Sequence, residues 1–267
     1  MTVANYRNKI SCFFKTKPIK AIMAKGVLLC LCSGIHLLAA SQSTFSKFEI
    51  GINAGVFVYQ GDLTPSPFGS YNTLKPELNF FLNRIISPVF SFRTNLAVGG
   101  LKGDDAKYSA PKYRQQRNFN FNSPAFEVSE LLVADLFKNN MSRPSSGLSP
   151  YLFAGLGLSL LNIKRDWSRF NAEYFSSESG TLSGLVADQQ HPVPTMIPVL
   201  PMGIGIRYPL SSRISINAET SYRFTFTDYL DGFSKAANDS RRDSYLAHTI
   251  GLIYQFRNNS WIKCPSF

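Results

Sequence analysis

Cysteine, histidine and recognisable catalytic motifs are scarce in this chain of 267 residues, which has four cysteines and three histidines. Only Cys264 lies beyond the N-terminal segment, so an internal disulfide framework is excluded from the rest of the chain. The sequence has no Gly-x-Ser-x-Gly elbow, no Cys/His metal spacing and no phosphate-binding glycine loop. These absences argue against the common hydrolase, zinc-binding and nucleotide-binding classes.

Acidic residues are missing from residues 1–25, where the basic residues are Arg7, Lys9, Lys15, Lys17, Lys20 and Lys25. An apolar run, Gly26–Leu38, follows, and the small residues Ala39, Ala40 and Ser41 come after it. This order is typical of a secretory signal peptide, and the run is shorter than the about 20 residues of a membrane-spanning helix. We predict a signal peptide over residues 1–41, with cleavage after Ser41 and with Met23 as an alternative start.

Much of the positive charge belongs to this leader. The whole chain has 28 basic and 17 acidic residues, a net charge of +11. Without the six basic residues of the leader, 22 basic residues remain against 17 acidic ones, a net charge of +5. Because no basic cluster with interleaved aromatic residues remains, we expect no nucleic-acid partner.

Apolar and polar residues alternate along residues 213–224, a period of two that predicts a strand with one apolar face. Seven more segments alternate in the same way, and no convincing long helix is predicted. They are Lys47–Tyr59, Lys75–Ile86, Val89–Gly99, Ser123–Phe137, Pro150–Asn162, Ile197–Tyr208 and Asp243–Phe256. In the fourth strand, Glu127 and Glu130 fall on opposite faces, from which we expect a bulge.

Long and short connections alternate between these strands, with Leu101–Asn122 and residues 163–195 as long polar loops. Eight strands of about ten residues with this asymmetry are typical of outer-membrane barrels. We therefore predict an all-β, eight-stranded antiparallel up-and-down transmembrane barrel over residues 42–256, of the small OmpA/OmpX-like type. Its location is the cell outer membrane, its surroundings are lipid, and residues 257–267 are a short periplasmic tail.

A soluble barrel would also alternate, with its apolar side chains turned inward. Aromatic residues near strand ends, where a membrane interface would place them, favour lipid instead. They are Tyr59, Phe80, Tyr151, Tyr208, Tyr222, Phe224, Tyr254 and Phe256. The last strand, Thr249-x-Gly251-x-x-Tyr254-x-Phe256, also resembles the C-terminal signal that the barrel assembly machinery reads during insertion.

The polar faces of the strands carry charged residues that would lie inside the barrel. They are Glu49, Glu77, Arg93, Glu127, Arg207, Glu219 and Arg223. An eight-stranded barrel is just wide enough for its own side chains, and buried charges must be paired. We therefore expect an internal salt-bridge network, with a lined pore or a catalytic carboxylate pair as the alternatives.

The loops offer weak candidates for chemistry. His191 with Asp188 and a nearby serine could form a surface hydrolase site. Some outer-membrane barrels are enzymes. The pairs Asp104-Asp105 and Asp228/Asp231 could bind Ca²⁺ through carboxylate oxygens, but such residues more often cap turns. We expect no enzyme activity and no cofactor or metal.

Six different short motifs follow one another along the chain. The first is Val58-Tyr59-Gln60-Gly61-Asp62-Leu63, and the last is Arg223-Phe224-Thr225-Phe226-Thr227-Asp228-Tyr229-Leu230-Asp231. Together they resemble the PorG-like outer-membrane barrels of the type IX protein secretion system. Their loop residues are Gly61, Asp62, Asp104, Asp105, Arg117, Asn118, Asp228, Tyr229 and Asp231. The resemblance implies a non-enzymatic barrel that anchors secretion components and contacts periplasmic secretion-ring proteins. The alternatives are a small outer-membrane channel or a barrel enzyme acting on lipid or peptide.

Overall fold

The structure is a computed structural model that describes residues 48–137, 147–237 and 242–256. The expected signal peptide over residues 1–41 and the tail over residues 257–267 lie outside these ranges.

Long antiparallel strands make up most of the described chain. The strands are β1 (Phe48–Gln60), β2 (Lys75–Ile85), β3 (Phe90–Asp104), β4 (Asn120–Asp135), β5 (Ser149–Leu161), β6 (Lys164–Asp166), β7 (Met196–Pro209), β8 (Ile214–Thr225) and β9 (Ser244–Gln255). Apart from the short β6, each strand pairs with the next, and β9 pairs with β1 to close the sheet. The predicted eight-stranded antiparallel barrel is confirmed.

The strands are tilted, as closure requires. Following paired residues once around the barrel from Phe48 leads back to β1 at Val58, a stagger of ten residues. A stagger of this kind tilts each strand against the barrel axis and fixes the barrel radius together with the strand number. At eight strands the interior has room for side chains and little else.

The wall extends further outward than the sequence predicts. The sequence predicts a polar loop over residues 101–122, but β3 continues to Asp104 and pairs there with Asn120, the first residue of β4. The strands continue because Leu101 and Phe121 turn inward and are completely buried, which gives this end a core of its own. The long-loop prediction is therefore wrong at both of its ends.

Short helices occupy the long connections. A 3-10 turn covers Tyr71–Thr73 and another Asp105–Lys107, while helix α1 spans Tyr113–Arg117 and helix α2 spans Ser179–Gln190. The expectation of no long helix is wrong for α2, which has twelve residues. None of the helices in the described ranges has the length and hydropathy of a membrane span.

The bulge expected in β4 is also absent from the described strand. The register with β3 runs unbroken from Phe90↔Ala134 to Asp104↔Asn120. Glu127 therefore points inward, and Glu130 points outward between apolar neighbours. A step of three residues always changes face in a regular strand, so two acids on opposite faces need no extra residue.

The outward face forms an apolar belt. Its clearest members are 44% to 69% exposed: Ile50, Ile52, Leu78, Phe80, Val98, Leu132, Leu152, Leu156, Ile204, Ile206, Ile250 and Leu252. An apolar surface of this extent would aggregate in water and is stable against lipid. The girdle prediction is wrong for Tyr59 and Tyr151, which lie inside the barrel with 1% exposure each because they occupy inward positions.

Candidate functional site: a packed lumen and an outer lid

All seven charged residues assigned to the lumen from the sequence lie inside the barrel. Six are 7% exposed or less, and the side chain of Arg207 is 12% exposed. They occupy inward positions on six different strands, so their contacts cross the barrel. The structure divides them into two connected groups.

The first group is centred on Glu219 of β8. One of its carboxylate oxygens accepts hydrogen bonds from Arg93 Nη1 at 2.6 Å and from the Tyr151 hydroxyl at 2.6 Å. The Arg93 guanidinium also lies 4.1 Å from the centroid of the Phe81 ring. A buried ion pair with an additional hydrogen bond and an aromatic contact holds four strands, β2, β3, β5 and β8, at fixed positions.

Glu49 of β1 extends this group towards the inner end. Arg207 donates from both of its terminal nitrogens to the two Glu49 oxygens, at 3.0 Å each. The Asn83 amide donates to Glu49 at 3.0 Å, and Arg93 donates weakly to the Asn83 oxygen at 3.4 Å. Asn83 therefore links the two ion pairs, and the bidentate geometry is the strong form of an arginine–carboxylate contact.

The second group surrounds Arg223 of β8. Its Nε donates to Glu127 at 3.2 Å, and its Nη2 lies 3.9 Å from Glu77. The Tyr245 hydroxyl donates to the same Glu127 oxygen at 2.8 Å. One arginine thus serves two carboxylates, and the nearer carboxylate receives the stronger contacts.

The lumen contains little free volume. A cavity of about 10 Å³ lies beside Glu77, Glu127 and Arg223, a volume that fits about one water molecule. Both carboxylate oxygens of Glu77 lack hydrogen-bond donors among the described residues. Side chains and ion pairs therefore fill the interior that a solute pathway would need.

An aromatic plug closes the outer half of the barrel. The rings of Phe119 and Phe233 stack with centroids 4.3 Å apart, and Tyr59 meets Phe121 edge-on at 4.9 Å. These rings are buried together with Leu63. A cover that we call the outer lid closes this end: residues 61–74, 105–119, 162–195 and the described part of 226–243. The lid contributes Leu63, Phe119 and Phe233 to the plug.

The second part of the last sequence motif, Thr227 to Asp231, fastens the outer lid to the barrel. The Tyr59 hydroxyl lies 2.7 Å from Asp231 and 3.0 Å from Asp243. The Leu230 amide donates to Asp243, and Leu230 itself is completely buried. The motif is therefore a set of contacts between lid and barrel, which periodicity in the sequence could not reveal.

Residues of the first and second long connections form another fastening. Asp105 is fully buried and accepts from Arg114 at 2.8 Å and from Arg117 at 2.7 Å. Both arginines also donate to the backbone oxygen of Asp62. Asn118 ends α1 with a φ of 49°, a left-handed conformation that asparagine tolerates.

The arrangement around His191 differs from that of a hydrolase. Its ring stacks on Tyr229 with centroids 3.9 Å apart. Asp188 is fully buried and accepts hydrogen bonds from the backbone amides of residues 234, 235 and 236 and from the Tyr229 hydroxyl. Asp188 thus ties α2 to the last long connection instead of orienting the histidine.

Asp104 and Asp105, a candidate pair for Ca²⁺, each bind different groups of the protein and do not form a shared site. Asp104 caps the 3-10 turn by accepting from the Ala106 amide, whereas Asp105 is held by two arginines. Across the described residues, no group of three or more histidine, cysteine, aspartate or glutamate side chains is placed to hold a metal ion.

Burial raises the pKa of the Asp231 and Asp243 carboxyls well above their ordinary value, and the charge of Asp231 adds to the effect at Asp243. The geometry agrees, because the one hydrogen of the Tyr59 hydroxyl can be donated to only one of the two carboxyls at a time. A proton on one of the two carboxyls would supply a hydrogen for the second close contact. The lid therefore encloses a proton-dependent contact.

Several residues of these networks were not identified from the sequence. Asn83 occupies an inward position of β2, so the period of two could have found it. Tyr245 occupies an inward position of β9, so the same period could have found it. Asp243 precedes β9, and its role depends on loops that meet only in the closed barrel.

The closed strand register and the lipid-facing belt establish an outer-membrane barrel and confirm the predicted location. Among solved structures, the chain is similar to Neisserial surface protein A, with 14% identity and a TM-score of 0.43 over 79% of this chain and 98% of that one. It is also similar to OprG from Pseudomonas aeruginosa, with 10% identity and a TM-score of 0.41 over 80% and 98%. A major outer membrane protein from Thermus thermophilus shows 12% identity and a TM-score of 0.42 over 78% and 99%.

No curated protein matches the chain. One protein-family model matches most of the sequence, including the whole barrel. The chain belongs to the family described as a domain of unknown function, DUF6089, whose model matches residues 27–261.

Proposed function

We propose that this outer-membrane barrel is a non-enzymatic and non-conducting anchor for components of a type IX protein secretion machinery. The observation that carries the proposal is the filled interior. Ion pairs such as Arg93–Glu219 cross the lumen, and the outer lid covers its outer end. A barrel closed in this way acts through its surfaces.

The ordered motif set supports the choice of machinery. Its resemblance to PorG-like barrels includes the residues that fasten the lid, among them Asp62, Asp105, Tyr229 and Asp231. In this structure Asp105, Tyr229 and Asp231 fasten the lid through their side chains, and Asp62 does so through its backbone oxygen.

The periplasmic side offers surface for ring proteins. The inner turn after β2 exposes Ile86 at 57%, and the turn after β7 exposes Leu210 at 58%. Leu148, which precedes β5, is 59% exposed. Apolar side chains at the rim of a closed barrel provide contact area for a protein partner.

The proposal is tested in a deletion strain assayed for secreted proteins in the culture medium. We expect secretion to fail and to return with the wild-type gene. We also expect periplasmic ring proteins to co-purify with the tagged barrel from mild detergent. Unchanged secretion in the deletion strain would contradict the proposal, and an ion conductance of the purified barrel would favour the channel alternative.

A further inference from the structure

Glu130 is an acidic side chain that faces outward within the apolar belt. Glu130 lies on β4, directly opposite Thr94 of β3 and Leu156 of β5. Leu156 is 69% exposed, so the wall at this place is turned towards lipid. The belt continues on both sides along β4, to Phe126 towards the outer end and to Leu132 towards the inner end.

The barrel supplies this carboxylate with little compensation. The Thr94 hydroxyl lies 3.0 Å from each carboxylate oxygen and can donate one hydrogen to one of them at a time. Within the described ranges, no lysine or arginine lies within salt-bridge distance of Glu130. An ionisable group that faces lipid is unfavourable and is typical of a functional contact.

The chemistry of the occupant follows from charge and depth. Basic lipid headgroups lie at the membrane surfaces, whereas Glu130 is flanked by exposed apolar residues on both sides. A two-fold contact between two copies of this chain at Glu130 would bring two carboxylates together, which is repulsive. A basic side chain from another membrane-embedded protein has the opposite charge and reaches Glu130 at its depth in the membrane.

We propose that the wall formed by β3, β4 and β5 around Glu130 is a docking face for a second integral membrane protein that presents an arginine or lysine at this depth. The inference deepens the anchor function and rests on it for the biological role of the partner. It places one contact inside the membrane, in addition to the periplasmic turns.

The test uses a photoreactive benzoylphenylalanine in place of Leu132, two residues from Glu130 on the same face, in whole cells. The control position is Ile250 on β9, four strands away around the barrel and 57% exposed. We expect an adduct of one defined mass from position 132 and none from position 250. The cross-linked peptide of the partner should come from a membrane segment that contains an arginine or lysine.

The charge is tested by Glu130→Gln and Glu130→Leu in the position-132 background. Loss of one member of a charge pair in a low-dielectric contact should lower the adduct yield about tenfold or more. The matched control is Glu173→Gln, an exposed carboxylate of the outer lid, which should leave the yield unchanged. A heat-dependent shift in gel migration verifies that each variant forms the barrel, and Glu130→Leu suits a lipid-facing position in any case.

No adduct, an adduct with a second copy of this chain, or an adduct that Glu130→Gln leaves unchanged would overturn the inference. The experiments distinguish a wrong docking face from a wrong anchor function. If deletion of the gene blocks secretion and position 132 gives no adduct, the docking face is wrong and the anchor function remains. If deletion leaves secretion intact and the adduct depends on Glu130, the docking face remains and the anchor function is wrong.

Discussion

Arg93 shows how strongly a single residue can matter in a filled lumen. It is completely buried, pairs with Glu219 at 2.6 Å and stacks over Phe81. Replacing Arg93 by methionine keeps the apolar stem and leaves Glu219 without its cation. We expect a loss of about 3 kcal/mol in the free energy of unfolding, because the remaining carboxylate is buried and uncompensated. Urea unfolding in lipid vesicles, followed by tryptophan fluorescence, measures it.

The control for this prediction is Arg169→Met, at an exposed position of the outer lid, which should change the free energy by less than about 0.5 kcal/mol. Adding Glu219→Gln to Arg93→Met should recover part of the loss, because the unpaired charge is then removed. Equal stability of Arg93→Met and the wild type would show that the ion pair is not needed to hold the barrel.

At the scale of elements, helix α2 is held to the lid through a glycine. A Cβ on Gly184 would lie 2.3 Å from the backbone oxygen of Lys235, whereas a Cβ on Gly180 would meet nothing within 4 Å. Gly184→Ala should therefore displace α2 and lower lid stability by about 1–3 kcal/mol, the usual cost of overpacking. Limited proteolysis of residues 162–195 measures it, with Gly180→Ala of the same helix as the control that should behave like the wild type.

The elements differ in how far the sequence predicts them. Each barrel strand separates lipid from lumen, so the alternation along residues 213–224 could be interpreted directly. Helix α2 contains two glycines and is held through Asp188, whose partners are backbone amides of residues 234–236. Likewise, the inward placement of Glu219 follows from its strand, but the contact of Asp243 with Tyr59 follows from loop closure. Contacts set by distant loops leave no local pattern in the sequence.

The fastening between lid and barrel should respond to pH. Burial raises the pKa of Asp231 and Asp243, so the native lid retains a proton that the opened lid, with an ordinary pKa near ~3.9, releases. This contribution to stability is complete below the ordinary pKa and is lost as the pH rises through the raised one. We expect the Leu230 and Phe233 amides to be better protected from hydrogen exchange at pH 5 than at pH 8, after correction for the intrinsic rate.

Asp243→Asn is the matched variant, because asparagine keeps the shape and the acceptor for the Leu230 amide but does not titrate. Its protection should depend less on pH than that of the wild type. Charged groups near the pair include Asp62, Asp228 and Arg117, and their contribution remains in the variant. An identical pH dependence in both proteins would assign the effect to these neighbours and contradict the prediction.

For the whole molecule, the packed lumen and the outer lid are two separate obstacles to conduction. Wild-type barrels in planar bilayers should show no single-channel conductance, because eight strands leave an interior that side chains fill. Asp188→Ala, which frees α2 from the last long connection, should remain silent since the lumen is unchanged. Removing the large inward side chains of Arg93 and Tyr151 together should produce small openings. Conductance of the wild type would contradict a closed barrel, and conductance of Asp188→Ala alone would place the barrier in the lid instead of the lumen.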